Sequence, residues 1–256
     1  MEPWAIAVLS FVALIAALFG VVTGGNSLLT VPVMLSFGME PRRAIATNMF
    51  AVTFLALSGT VRFARAPSVR WRWDVIVPLG LLTLGTSWWG AHLVAQFSER
   101  TVRGVVAASL VAMLAVMAAR PKLGEGAARK VSRMRFVVGI AVGALLGIYG
   151  GLFSGGYTTL LTILCVGLLG TSLLEAVGLT KPINFLSSAI ASAEFARLGL
   201  IDLRVGLPMA AAMTLGAWVG AHFAATHGHR WVRAVFLAGL ALLAVKLLYD
   251  VVRASV

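Results

Sequence analysis

Ten apolar stretches, at about residues 4–22, 27–38, 44–61, 75–97, 102–119, 136–153, 157–170, 176–193, 205–225 and 231–251, take up most of the 256 residues. A transmembrane helix needs about 20 apolar residues, so these stretches would use roughly 200 positions and leave only short connections. A soluble domain of this length could not hide so much apolar surface, because many of its residues must face water. Composition agrees: 60% of the chain is hydrophobic and 12% charged, against about 45–50% and about 25% for ordinary globular proteins. The sequence therefore predicts an all-α integral membrane protein. Two stretches, Ser27–Gly38 and Tyr157–Gly170, are too short to cross a bilayer alone. The chain opens Met-Glu-Pro-Trp and runs straight into apolar sequence without a basic leader, which reads as a first membrane helix and not a cleaved signal peptide.

The two halves are related. Thr23-Gly24-Gly25 matches Ser154-Gly155-Gly156, and Phe63-Ala64-Arg65 recurs as Phe195-Ala196-Arg197. Pro78, Trp88, Gly90-Ala91-His92 and Arg100-x-Val102-Arg103 return, all at one common spacing, as Pro208, Trp218, Gly220-Ala221-His222 and Arg230-x-Val232-Arg233. Ordered matches whose spacing drifts only slightly at loops mark a duplication. The domains expected are a first repeat over 1–119, a cytoplasmic basic linker over 120–135 and a second repeat over 136–256.

With five segments per copy, the second copy should cross the membrane inverted. The loop Arg62–Arg72 carries four arginines and no acid, whereas its counterpart balances Arg197 and Arg204 against Glu194 and Asp202. The next loop shifts the other way, from Glu99, Arg100 and Arg103 to His227, His229, Arg230 and Arg233. A basic bias that swaps sides between copies is what inversion predicts. It places the Arg62–Arg72 loop and the linker, with Arg120, Lys122, Arg129, Lys130, Arg133 and Arg135, in the cytoplasm and both termini outside; Arg42 and Arg43 go against this bias. The net charge of +12 thus follows membrane topology and does not call for nucleic acid.

Interrupted segments at matching places in inverted repeats point to a transporter, with its substrate near the midplane. Here the interruptions are Thr23-Gly24-Gly25-Asn26-Ser27 and Ser154-Gly155-Gly156-Tyr157-Thr158. Gly25 and Gly156 are expected to let a half-helix begin with free N–H groups and its positive dipole end turned to an anion. The plain alternative is that these glycines serve close helix packing. One segment later, Thr47-Asn48 corresponds to Thr180-Lys181, with Asn184 beyond Pro182. Lys181 in an apolar helix defaults to a functional hypothesis, against a lysine snorkelling from a helix end marked by Glu175. Glu194 and Arg197, three apart, could pair, and the duplicated His92 and His222 are expected near the membrane surface. No zinc-ligand pair, no hydrolase elbow and no nucleotide-binding loop is present. Lone Cys165 allows no intrachain disulfide. No cofactor and no catalysis are expected.

At these residues the chain resembles the sulfite exporter TauE/SafE family. The likeness rests on Gly20-x-x-Thr23-Gly24-Gly25-Asn26-Ser27-Leu28-Leu29-x-Val31-Pro32, Phe37-Gly38-x-x-Pro41, Ala44-x-Ala46-Thr47-Asn48 and the second-half Gly147-x-x-Gly150-Gly151-x-x-Ser154-Gly155-Gly156 with Thr180-Lys181. The resemblance implies a plasma-membrane transporter of a small sulfur-containing or organic anion, such as sulfite, sulfoacetate or a similar sulfonate. The partners expected are that anion, the lipid bilayer and a coupling ion such as a proton; a homo-oligomer stays open. An anion channel or an uptake carrier for another small anion on the same architecture is the alternative.

The charge bias yields a first prediction. A cysteine introduced into the 120–135 linker should stay unlabelled by a membrane-impermeant thiol reagent outside intact cells; external labelling would reverse the orientation.

Overall fold

The computed structural model describes residues 1–67, 69–119 and 131–227. Most of the linker and the tenth apolar stretch, 231–251, with Arg230, Trp231 and Arg233, lie outside the described residues. Within them the chain is all-helical: α1 (Pro3–Thr23), α2 (Asn26–Ser36), α3 (Pro41–Ala64), α4 (Trp73–Gln96), α5 (Glu99–Ala119), α6 (Arg133–Leu152), α7 (Tyr157–Gly167), α8 (Leu173–Arg197) and α9 (Leu203–His227). Each lies where the sequence places an apolar stretch, with most ends extended by a turn or less. Four of them, α1, α3, α6 and α9, are long and apolar enough to cross a membrane. α8 is as long, but Thr180, Lys181, Asn184, Ser187, Ser188 and Ser192 lower its hydropathy while lying buried against other helices.

The order long, short, long, long recurs as α1–α4 and α6–α9, and both short helices have 11 residues. Each short helix folds back along the long one before it. Gly20 faces Asn26 across the first break, and Trp4 at the start of α1 meets Phe37 beyond α2 edge-on at 5.7 Å between centroids. In the second copy, Arg135 at the start of α6 donates to the Gly167 carbonyl at the end of α7, at 3.3 Å.

Small residues let the long helices approach closely. Gly143, Gly147 and Gly151 of α6 face Leu79, Thr83 and Ser87 of α4, so these two helices run in the same direction. Gly216 and Gly220 of α9 face Leu14, Leu18 and Val21 of α1, again in the same direction. α3 and α8 run oppositely: Gly59 lies on Lys181 and Thr53 meets Ser192 at 3.2 Å. Each fourth helix therefore packs on the first helix of the other copy. Two of the close approaches also gain hydroxyl-to-carbonyl bonds, Ser87 Oγ to the Gly147 carbonyl at 2.8 Å and Ser58 Oγ to the Thr214 carbonyl of α9 at 2.9 Å. In a bundle where lipid gives no hydrophobic drive between helices, such packing and hydrogen bonds hold the structure.

The tightest of these contacts is testable. A Cβ on Gly151 would run into the Ser87 carbonyl oxygen and stand 2.6 Å from the carbonyl carbon, and overpacking of this kind costs about 1–3 kcal/mol. Gly151→Ala should lower the thermal unfolding midpoint in detergent. Gly85→Ala, with nothing within 4 Å of the added carbon, should be neutral or stabilise by up to about 1 kcal/mol.

Candidate functional site

Both breaks meet at one place. The Gly156 amide donates to the Gly24 carbonyl at 3.2 Å, and Thr159 Oγ1 donates to the Thr23 carbonyl at 2.5 Å. Helix α1 ends on Gly24 in the left-handed region, φ 79°, with its amide bonded back to Gly20. Helix α7 begins on Gly156 at φ 82°. Both conformations suit glycine, since an L side chain there costs about 1–2 kcal/mol. Gly25 precedes the first residue of α2 with φ −88°, open to any residue, and the left-handed turn of this break falls one position earlier, on Gly24. The two breaks are thus equivalent in sequence but not in backbone geometry. Neither α2 nor α7 is capped by a side chain, so free N–H groups remain at both starts.

A small pocket lies at this junction. The first half contributes Gly20, Gly24, Asn26, Ser27, Val52 and Leu55, the second Ser154, Thr158, Lys181 and Asn184. Seven residues singled out in the sequence are thereby brought together: Gly24, Asn26, Ser27, Ser154, Thr158, Lys181 and Asn184. Lys181 is 1% exposed, and its stem lies beside Gly59. A lysine snorkelling to the headgroups would be exposed, so that alternative does not describe Lys181 here. No carboxylate among the described residues pairs with it. The Oδ1 atoms of Asn26 and Asn184 accept no hydrogen bond from the protein, although both residues are buried. Buried polar atoms are almost always partnered, so two such atoms in one pocket point to a ligand-facing surface.

The other candidates surround the pocket. Asn48 donates to Ser27 Oγ at 2.9 Å and accepts from Thr30 Oγ1 at 2.6 Å, which fixes the start of α2 against α3. Thr23 Oγ1 accepts from the Gly25 amide at 3.4 Å. The Gly155 carbonyl accepts from the Tyr149 hydroxyl. Thr180 donates to the Val177 carbonyl at 2.9 Å. Thr47 accepts from the Asp202 amide at 3.0 Å, on the surface of α3 that faces the start of α9. The Tyr157 ring packs on Gly150 and its hydroxyl lies beside Thr83 and Ser187. Val52 and Leu55, which line the pocket, carry no chemical signal in the sequence. Only the fold places them there.

A helical membrane protein whose two related halves contribute jointly to a buried polar pocket between helix breaks has the architecture of a membrane transporter. The comparisons with known proteins agree. The chain belongs to the sulfite exporter TauE/SafE family, whose model matches residues 9–247. It is 30% identical over 246 residues to a probable membrane transporter protein of Haemophilus influenzae, covering 96% of this chain and 95% of that protein. It is 28% identical to the probable membrane transporter protein YfcA of Escherichia coli K12, covering 98% and 92%, and to the probable membrane transporter protein ORF9 of a Sinorhizobium species, covering 98% and 96%. No solved structure matches.

The glycine geometry separates the two positions at the first break. A Cβ on Gly24 would lie 2.6 Å from the Thr159 amide, so Gly24→Ala combines a clash with a strained φ and should abolish transport at matched membrane expression. Gly25→Ala should retain most of it.

Proposed function

We propose that this protein is a secondary transporter of the plasma membrane, multi-pass, that exports a small sulfur-containing or organic anion, such as sulfite, sulfoacetate or a similar sulfonate, by alternating access. The observation that carries the reading is Lys181: a buried amine without a carboxylate partner, in a pocket that also receives two uncapped helix starts. Positive dipole ends and free N–H groups suit an oxyanion, and a bound anion would offset the desolvation of the lysine. Ser27 and Thr158 add hydroxyl donors. An inside-negative potential contributes about 2.3 kcal/mol per charge per 100 mV toward anion efflux, with a proton as a candidate coupling ion.

Inversion of the two repeats is part of this proposal. What supports it is the set of helix directions: α1, α3 and α9 share one direction, and their counterparts α6, α8 and α4 share the other, as the registers of α4 with α6 and α8, of α9 with α1 and α3, and of α3 with α8 require. The one contrary charge feature is softened by Arg42, whose guanidinium is paired with Glu40 at 2.7 Å. The family name and the relatives' names support a transporter; the anion's identity and the direction of transport rest on the pocket chemistry and the family name together.

Lys181→Met keeps the length and removes the charge. It should weaken sulfite binding at least about tenfold, since a charge-assisted hydrogen bond contributes about 1.5–3 kcal/mol; Lys181→Arg should keep part of it, as charge survives but geometry changes. Substrate-induced thermal shift and efflux from proteoliposomes at matched protein are the measurements. Unchanged affinity in Lys181→Met would remove the lysine from the site.

A further inference from the structure

The helix pair α4/α8 and its counterpart α9/α3 carry the same four positions at one end of each pair, with one difference. On α4/α8, Glu194 is 4% exposed and is ringed by donors: Arg197 at 2.7 and 2.9 Å, His92 Nδ1 at 2.9 Å and Trp88 Nε1 at 3.2 Å. On α9/α3, Trp218 stands for Trp88, His222 for His92 and Arg65 for Arg197, but Arg62 stands where the other pair has Glu194. The frame is kept. The Arg65 guanidinium lies over the Trp218 ring, 5.5 Å from its centroid, and Arg62 is in hydrogen-bond contact with His222 Nδ1.

We propose that Arg62, Arg65 and His222 form a second anion site, for a small oxyanion of carboxylate, sulfonate or phosphate type. One end of the molecule supplies its own carboxylate to an arginine–histidine–tryptophan frame; the other keeps the frame and takes the oxyanion from outside. No carboxylate among the described residues lies within ion-pair distance of Arg62, Arg65 or His222. Arg62 lies in the last turn of α3 and Arg65 caps it, which sets two guanidinium groups side by side at one helix end, a geometry suited to an oxyanion between them. Accepting from Arg62 at Nδ1 leaves the neutral His222 ring with its proton on Nε2, a further donor. Arg65 and His222 are exposed and Arg62 half-buried, whereas the carboxylate that fills the other frame, Glu194, is buried. Resting on the transport reading above, the site would hold the anion on the side from which it is exported; a lipid headgroup phosphate has the same chemistry.

The test is titration of sulfite into purified protein in detergent, followed by calorimetry. The wild type should show two classes of site. Lys181→Met should remove the pocket class and leave the other. Arg62→Glu, which recreates the Glu194 arrangement, should weaken the second class at least about tenfold, and Arg65→Gln, at an exposed position, by about fivefold. Loss of a class in Arg62→Glu with none lost in Lys181→Met would overturn the central pocket and keep this site. Both classes intact in Arg62→Glu and in Arg65→Gln would overturn this site and leave the pocket standing. Repeating the titration in phosphatidylcholine nanodiscs with and without phosphatidylglycerol identifies the source: a second class present in both supports the free anion, and one abolished by phosphatidylglycerol supports the headgroup as occupant.

Discussion

The contact between the two helix breaks is the constraint around which the rest of the bundle is arranged. A backbone that leaves helical geometry inside a membrane exposes N–H and C=O groups that lipid cannot satisfy. Here the two irregular stretches partly satisfy each other, through the Gly156 amide on the Gly24 carbonyl and Thr159 on the Thr23 carbonyl. Groups left over must be enclosed by protein, and α3 and α8 do the enclosing: Asn48 holds the start of α2, and Lys181 and Asn184 close the far wall of the pocket. Meeting in this way also brings the two helix starts together, so the irregularity that a lipid-facing helix could not tolerate becomes the place where polar chemistry accumulates.

Exchange of the fourth helices decides which parts can move together. α4 lies on α6 and α8, and α9 on α1 and α3, each across the line of duplication. The packed bodies are therefore mosaics, one built from α1, α3 and α9 and the other from α4, α6 and α8, and they touch along α3/α8 and at the breaks. Among the described residues they are joined by Thr53 with Ser192 at 3.2 Å, by Arg42 on the Ala95 carbonyl at 3.4 Å, by the contacts at the glycine breaks and by the close packing of Gly59 on Lys181. The bonds within each body are backed by glycine-mediated close packing, as with Ser87 on Gly147.

Much of this was legible in the sequence for physical reasons. Apolar length located the nine described helices to within a turn or so, because a bilayer imposes it, and the paired glycines located both breaks, because a left-handed φ suits glycine. Lys181, Asn184, Asn26, Ser27, Thr158, Ser154 and Gly24 met in one pocket as polar residues inside apolar runs should. Which glycine takes the turn was not legible: Gly24 and Gly25 are adjacent, and the local hydrogen bond to Gly20 decides between them. Nor was the destination of Thr47 or Tyr157, whose partners Asp202, Thr83 and Ser187 are brought to them only by helices far along the chain. Glu194 showed its pairing with Arg197 through spacing alone, but its contacts with Trp88 and His92 depend on α4 lying against α8.

The seat of α9 on α1 has a consequence for how the protein is made. Leu14 and Gly216, which touch in the finished bundle, are separated by most of the chain. At about 5–20 residues per second of synthesis, the first helix stays in the bilayer for roughly ten to forty seconds before its partner emerges. Through that interval the face around Leu14, Ala17 and Leu18 that α9 covers in the finished bundle lies without that cover. Assembly of the first copy thus cannot be completed before the second has been inserted, and a ribosome stalled in the second half leaves behind a bundle with an open seam.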